Sequence, residues 1–144
     1  MQHQRQNQST MKKILSFALI AVSVFLGACT TNVVVDSAAH PMGTYDNLSG
    51  GFEGKLSGNI NNAFKATNIA LERDLKYYRV GQKAKDNEWY VYARVELDVL
   101  VVVYLKQLPN EEVEVKIEYG SGNLMKSQQI FNAIAKNMRM FERR

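Results

Sequence analysis

The chain has 144 residues, 18 Lys and Arg against 14 Asp and Glu, and a formal charge of +4, which leaves room for one domain and little else. Its one cysteine, Cys29, excludes a disulfide within the chain, and its two histidines, His3 and His40, give no metal-ligand cluster. A pI near 9.2 invites a nucleic-acid reading, but Arg5, Lys12 and Lys13 precede Cys29 with no acid among them, so three of the four excess charges sit there and no nucleic-acid partner is expected.

From the start of the chain, Met1 to Thr10 is polar; either it is a long leader or the natural start is Met11. Met11-Lys12-Lys13 then opens an apolar run from Ile14 to Phe25, closed by Leu26-Gly27-Ala28-Cys29. A short positive start, about a dozen apolar residues and small residues before a cut site make a secretory signal. A transmembrane helix would need roughly 20 apolar residues, and this run stops at Cys29. Leu26-Gly27-Ala28-Cys29 resembles the bacterial lipobox. That resemblance implies a diacylglyceryl group on the Cys29 thiol, cleavage after Ala28 and acylation of the new amine. Thr30 stands where an inner-membrane retention signal often has aspartate, so the outer membrane of a two-membraned envelope is the expected address. Residues 1–28 are therefore expected to be signal and 29–44 a tether, leaving 45–144 as the domain.

The tether, Thr30 to Thr44, has no sustained period and contains His40-Pro41 and Gly43; within it Val33-Val34-Val35 is a candidate edge strand. Tyr45 to Ser57 reads as one strand with glycine breaks. Asn59 is a candidate N-cap, followed by Ile60, Ala63, Phe64, Thr67, Leu71 and Leu75 at helical spacing, which predicts an amphipathic helix of about four turns. Lys76 to Lys83 is a strand with Tyr78 and Val80 on one face, and Lys85-Asp86-Asn87 a turn. In Glu88 to Glu96, Trp89, Val91, Ala93 and Val95 alternate with Tyr90, Tyr92 and Arg94. Val99 to Gln107 is β-branched and suits a central strand. The turn at Leu97-Asp98 lacks the glycine that tight hairpins favour. Leu108-Pro109-Asn110-Glu111 is a clearer turn. Val113, Val115, Ile117 and Tyr119 then alternate with four charges over Glu112 to Tyr119. After Gly120-Ser121-Gly122-Asn123, a second amphipathic helix carries Leu124, Ser127, Phe131, Ile134 and Met138 and ends near Arg139.

The order β-α-β-β-β-β-α, with one apolar stripe per helix and one apolar face on the meander, predicts an α+β fold in which both helices cover one face of an antiparallel sheet. The order also looks like the helix-grip or TBP-like topology. The landmarks Gly43-Thr44-Tyr45, Gly51-Phe52-Glu53, Phe64 with Ala66-Thr67 and Ala70-Leu71, and Gln129-Ile130-Phe131 with Ile134 resemble, in order and spacing, a family of short bacterial lipoproteins, domain of unknown function 3568. Phe64 stands where that family often has tryptophan. The resemblance implies this fold and membrane attachment, and it carries no activity or catalytic residue with it.

The acids Asp46, Glu53, Asp86, Glu88, Glu96 and Asp98 fall in turns or on solvent-facing strand positions, and no nucleophile-base pair or phosphate-binding loop occurs. Neither an enzyme nor a cofactor is expected. The basic group Lys136, Arg139, Arg143 and Arg144 could lean on anionic lipid, although cations suit a helix C-terminus through its dipole. The favoured surface is the outward face of the meander, assigned Tyr77, Arg79, Tyr90, Tyr92, Arg94 and Tyr104 with Val102 and Lys106, because tyrosine and arginine are enriched at interaction hot spots. The plainer reading is a solvated sheet face, since tyrosine also favours strands. The expected role is thus a non-enzymatic interaction or accessory module with an envelope protein partner, held to the membrane through Cys29. Its rival is a carrier that binds a small apolar ligand between sheet and helices.

Overall fold

The structure, a computed structural model, describes residues 30–34, 42–46 and 49–142. The expected signal, the cut after Ala28 and the lipidated Cys29 lie outside the described residues, as do Val35, His40, Arg143 and Arg144.

Among the described residues seven strands form one sheet: β1 (Thr30–Val34), β2 (Met42–Asp46), β3 (Gly51–Ser57), β4 (Tyr78–Lys85), β5 (Glu88–Arg94), β6 (Leu100–Gln107) and β7 (Glu112–Tyr119). The strand order is β1-β2-β3-β7-β6-β5-β4, and every pairing is antiparallel. Helix α1 (Ile60–Asn68) continues as a wider π turn (Ile69–Asp74), and α2 (Leu124–Glu142) closes the chain. Both helices lie on the same sheet face, α1 over β5 and β6 and α2 over β3 and β7, and they pack on each other. This is the α+β arrangement that the sequence pattern predicts.

The two-residue period decides the core. Val91, Ala93, Val101, Val103, Leu105, Val113, Val115 and Ile117 are fully buried because successive side chains in a strand point to opposite faces. Against them α1 buries Ala63 and Ala66, the π turn Ala70 and Leu71, and α2 Ile130, Phe131, Ile134 and Met138. Asn59 caps α1, its side chain accepting from the Asn62 amide at 2.9 Å. The β5–β6 connection needs no glycine: a 3-10 turn (Glu96–Asp98) ends with Asp98 at φ 65°, a left-handed conformation that Asp tolerates better than most residues.

Two segments differ in secondary structure from what the sequence predicts. The stretch read as a tether contains β1 and most of β2, and the single strand expected over Tyr45 to Ser57 is two, with a turn at Ser49-Gly50. The missing alternation has a physical cause. A Cβ on Gly43 would lie 2.1 Å from the Phe52 ring, and one on Gly54 would lie 2.6 Å from Phe131. Core rings occupy the places where side chains of Gly43 and Gly54 would project, so at these two positions the strands are buried without an apolar side chain of their own. The second difference is the π turn, in which the Leu75 amide donates to Ala70 O at 2.9 Å. It follows Thr67, whose buried hydroxyl donates to Ala63 O at 2.8 Å, a back-bond that tends to bend helices.

The π turn delivers Arg73 and Asp74 to α2. Buried Asn137 donates to Asp74 at 2.7 Å and to Ala133 O at 2.8 Å, and accepts from Arg73 at 3.1 Å. This network is satisfied and ties the two helices together, as a buried amide requires. The hydrogen bond from Asn137, then that from Arg73, hold the Asp74 carboxyl below its ordinary value of 3.8. By contrast, the buried Ser127 Oγ has no hydrogen-bond partner among the described residues.

Two stability outcomes follow from these polar groups. A folded-state pKa below the unfolded one contributes stability above the unfolded value, and that stability fades as pH falls through the folded one. The melting advantage of the wild type over Asp74→Asn should therefore be constant at neutral pH and shrink below about pH 4; an advantage unchanged down to pH 2 would contradict it. Ser127→Ala removes an unsatisfied buried hydroxyl and improves helix propensity, so it should raise unfolding free energy by about 1 kcal/mol. A loss of stability in denaturant titration would show that the hydroxyl has a partner in solution.

Candidate interaction face

The face of the sheet away from the helices is ordered by cross-strand register. One row runs Lys55, Glu114, Lys106, Glu88, Lys85 across β3, β7, β6, β5 and β4. The next runs Glu53, Lys116, Tyr104, Tyr90, Lys83, and a third Gly51, Glu118, Val102, Tyr92, Gly81. Opposite charges thus stand side by side over β3 and β7, while the apolar and aromatic residues gather over β5 and β6. Neighbours on one face of a sheet interact directly, and opposite charges there are mildly favourable.

Lys116 contacts Glu114 at 2.9 Å and Glu53 at 3.3 Å. The Glu114 hydrogen bond and then the Glu53 contact raise its pKa, with partial burial acting the other way. Tyr90 and Tyr104 pack with ring centroids 4.9 Å apart at 52°. The Tyr104 hydroxyl is pushed up to about 12, first by burial among its neighbours and then by its hydrogen bond to the Glu88 carboxylate. It stays protonated at any ordinary pH and serves as a fixed donor. Tyr90, Tyr92, Val102 and Tyr104 are half-buried, so their upper surfaces remain open to contact.

Of the residues assigned to this face from sequence, the structure brings Tyr90, Tyr92, Arg94 and Tyr104 together, with Val102 and Lys106. Arg94 is paired with Asp98 at 2.7 Å. Tyr77 and Arg79 belong elsewhere. Tyr77 precedes β4 and packs on the helix side against Tyr119, ring centroids 6.4 Å apart; burial, then proximity to Tyr119, raises its pKa. Arg79 pairs in register with core-facing Ala93 and binds Glu72 at 2.7 Å, Gln82 at 2.8 Å and Asn68 at 3.4 Å. The register shift between Arg79 and Gly81 reverses the parity of β4, so odd positions face outward beyond it and even positions before it. Tyr78, expected inward, lies opposite Arg94 on the open face and is 73% exposed.

An open groove of about 420 Å³ lies at one end of the sheet, lined by Gly58, Asn59, Gln107, Leu108, Pro109 and Glu111. Its amide, Gln107, accepts from the Ile60 amide at 2.7 Å and donates to Gly58, Leu108 and Glu112 carbonyls. That amide holds the start of α1 against the β6–β7 turn. Among the described residues no three His, Cys, Asp or Glu side chains are grouped to hold a metal ion, and no helix is long and apolar enough to cross a membrane.

The two faces should respond differently to substitution. Val115→Asp buries a carboxylate in the core and should cost on the order of several kcal/mol, enough to unfold a domain of ordinary stability. Tyr92→Ala with Tyr104→Ala removes two cross-strand contacts on the open face, at about 1 kcal/mol or less for each. Thermal melts that rank the two variants the other way would mean that the faces are inverted.

No curated protein matches the chain. A family described as a protein of unknown function, domain of unknown function 3568, matches residues 13–137. That span runs from Lys13 to five residues short of the end of α2, and the chain belongs to this family.

Proposed function

We propose that the protein is a lipid-anchored lipoprotein of the bacterial cell envelope. In this reading its domain is a non-enzymatic interaction module that binds an envelope protein through the tyrosine-centred part of the open sheet face. The observation that carries the reading is the cluster of Tyr90, Tyr92, Val102 and Tyr104 on a face that neither helix covers. Aromatic residues on a rigid sheet lose little entropy on contact and supply large apolar area. The charged rows beside them suit the polar rim of such an interface. The anchor rests on the apolar leader and on Leu26-Gly27-Ala28-Cys29, with the outer membrane, facing the periplasm, as the proposed location.

The carrier reading draws less support. The space between sheet and helices is occupied by Phe52, Leu71, Leu105, Ile130, Phe131 and Ile134, all fully buried, and Phe52 and Phe131 meet with centroids 5.1 Å apart. A ligand entering there would have to displace packed side chains.

Anchor and surface can be tested separately. Cys29→Ala should abolish lipid labelling and membrane retention, since acyl chains provide roughly 0.8 kcal/mol of attachment per buried methylene. With the anchor intact, Tyr92→Ala combined with Tyr104→Ala should melt like the wild type within a few degrees. The same variant should lose the protein that cross-links to the wild type in intact envelopes. Normal processing and retention of Cys29→Ala would end the lipoprotein reading; unchanged cross-linking of the double variant would return the tyrosines to ordinary strand formers.

A further inference from the structure

The described residues include five exposed large hydrophobics: Tyr78, Val80, Leu100, Met125 and Met140. Four of them gather at one end of the molecule. Tyr78 and Leu100 are the first residues of β4 and β6 and flank Arg94 in one cross-strand row. Val80 lies two residues into β4, and Met125, 80% exposed, is in the first turn of α2. The same end holds the start of β1, the β2–β3 turn and the β7–α2 loop, because the strands alternate in direction.

Contacts connect these loops to the residue that follows Cys29. Thr30 pairs with Asp46, and the Asp46 carbonyl accepts from the Gly50 amide at 2.8 Å. Gly50 in turn lies so close to Gly122 that a Cβ on Gly50 would be 2.6 Å from the Gly122 Cα. Gly122 is three residues before Met125. Since β1 begins at Thr30, no run of flexible residues separates Cys29 from the sheet. A residue spans at most about 3.6 Å of extended chain, so acyl chains on Cys29 would bring this end of the domain to the bilayer surface.

We propose that this end is a membrane-seating rim, in which Tyr78, Leu100 and Met125 enter the lipid interface at the end of the sheet from which Cys29 leads, Tyr78 at the edge opposite β1. This rests on the lipoprotein reading and adds an orientation to it. Tyrosine suits the headgroup level, with an apolar ring and a polar tip, and leucine and methionine suit the acyl boundary below it. Arg94, the cation in the Tyr78–Leu100 row, is already paired with Asp98. The Tyr78–Leu100 row therefore offers no unpaired cation to the bilayer, and the contact should form on neutral lipid. Met140 lies at the opposite end of α2, away from this surface.

The test uses the full lipidated protein in neutral phosphatidylcholine vesicles, with the Cys29 sulfur blocked by its own lipid. A fluorophore is attached through Met125→Cys or, at the opposite end, through Asn110→Cys in the β6–β7 turn. β6 has eight residues, so the two ends stand roughly 25 Å apart at about 3.3 Å per residue. Nitroxide-bearing lipids should remove most emission at position 125 and little at position 110. Replacing Tyr78 and Leu100 by serine should relieve the quenching at 125 while vesicle flotation stays complete. Equal quenching at both positions, or stronger quenching at 110, overturns the seating rim while leaving the anchor standing. Failure of the protein to float with the vesicles removes the anchor, and the rim with it.

Discussion

The fold depends on two phenylalanine rings seated on two glycines. Phe52 of β3 covers Gly43 of β2, Phe131 of α2 covers Gly54 of β3, and the rings meet each other. Gly43 and Gly54 are register partners in adjacent strands. The absence of two Cβ atoms thus opens a recess that a strand residue and a helix residue fill together. Phe52 and Phe131 are among the largest fully buried side chains, and each aromatic contact adds to its area burial when tilted rings meet at this distance. Through this junction α2 holds β3, β3 holds β2, and β2 holds β1. The position of the outermost strand relative to the core follows from it.

On the uncovered face, specificity comes from electrostatics and register instead of burial. Glu53, Lys116 and Glu114 form a contact group across β3 and β7, partly exposed, and exposed pairs of this kind add little stability. Their consequence is patterning: a charged field on one side of the face, and a tyrosine group on the other whose Tyr104 hydroxyl is fixed as a donor by Glu88. The outer strand β4 has the register shift beyond Arg79, and Lys83 and Lys85 on its exposed half. Bulges and edge lysines discourage a second sheet from pairing there. The open face can therefore offer tyrosines without inviting strand addition at that edge.

How much was legible in the sequence varied with where the information lay. β7 and the inner faces of β5 and β6 could be read residue by residue because alternation and burial coincide. Asn59 was legible as a cap because capping is local. β2 was hidden because Gly43 contributes to the core by lacking a side chain. β4 was read with inverted parity because its inner position is held by Arg79, whose ion pair with Glu72 across to the π turn satisfies a charge where the pattern suggested solvent. The Asn137 network joins residues more than 60 apart in the chain, so no local period could announce it. Three of the four misplaced or hidden features thus have one cause: polar or glycine positions on the helix-facing side are made acceptable by partners on other elements. The fourth, the π turn, has the buried Thr67 back-bond immediately before it.

The proposed anchor and the proposed interaction face are linked through strand direction. β1 leads directly from the residue after Cys29 into the sheet, and each strand in that sheet runs antiparallel to its neighbours. With the rim on the bilayer, the strands would stand away from the membrane and the tyrosine face would look sideways, along the surface. Tyr92 and Val102 are in the row nearest the rim after Arg94 and Leu100, and Tyr90 and Tyr104 in the next. Each step of two residues is about 7 Å of strand, so the whole tyrosine group would lie within roughly 20 Å of the bilayer. A partner meeting that face would itself have to be at the membrane, or reach down to it. A long flexible tether would impose no such limit; the pairing of Thr30 with Asp46 does.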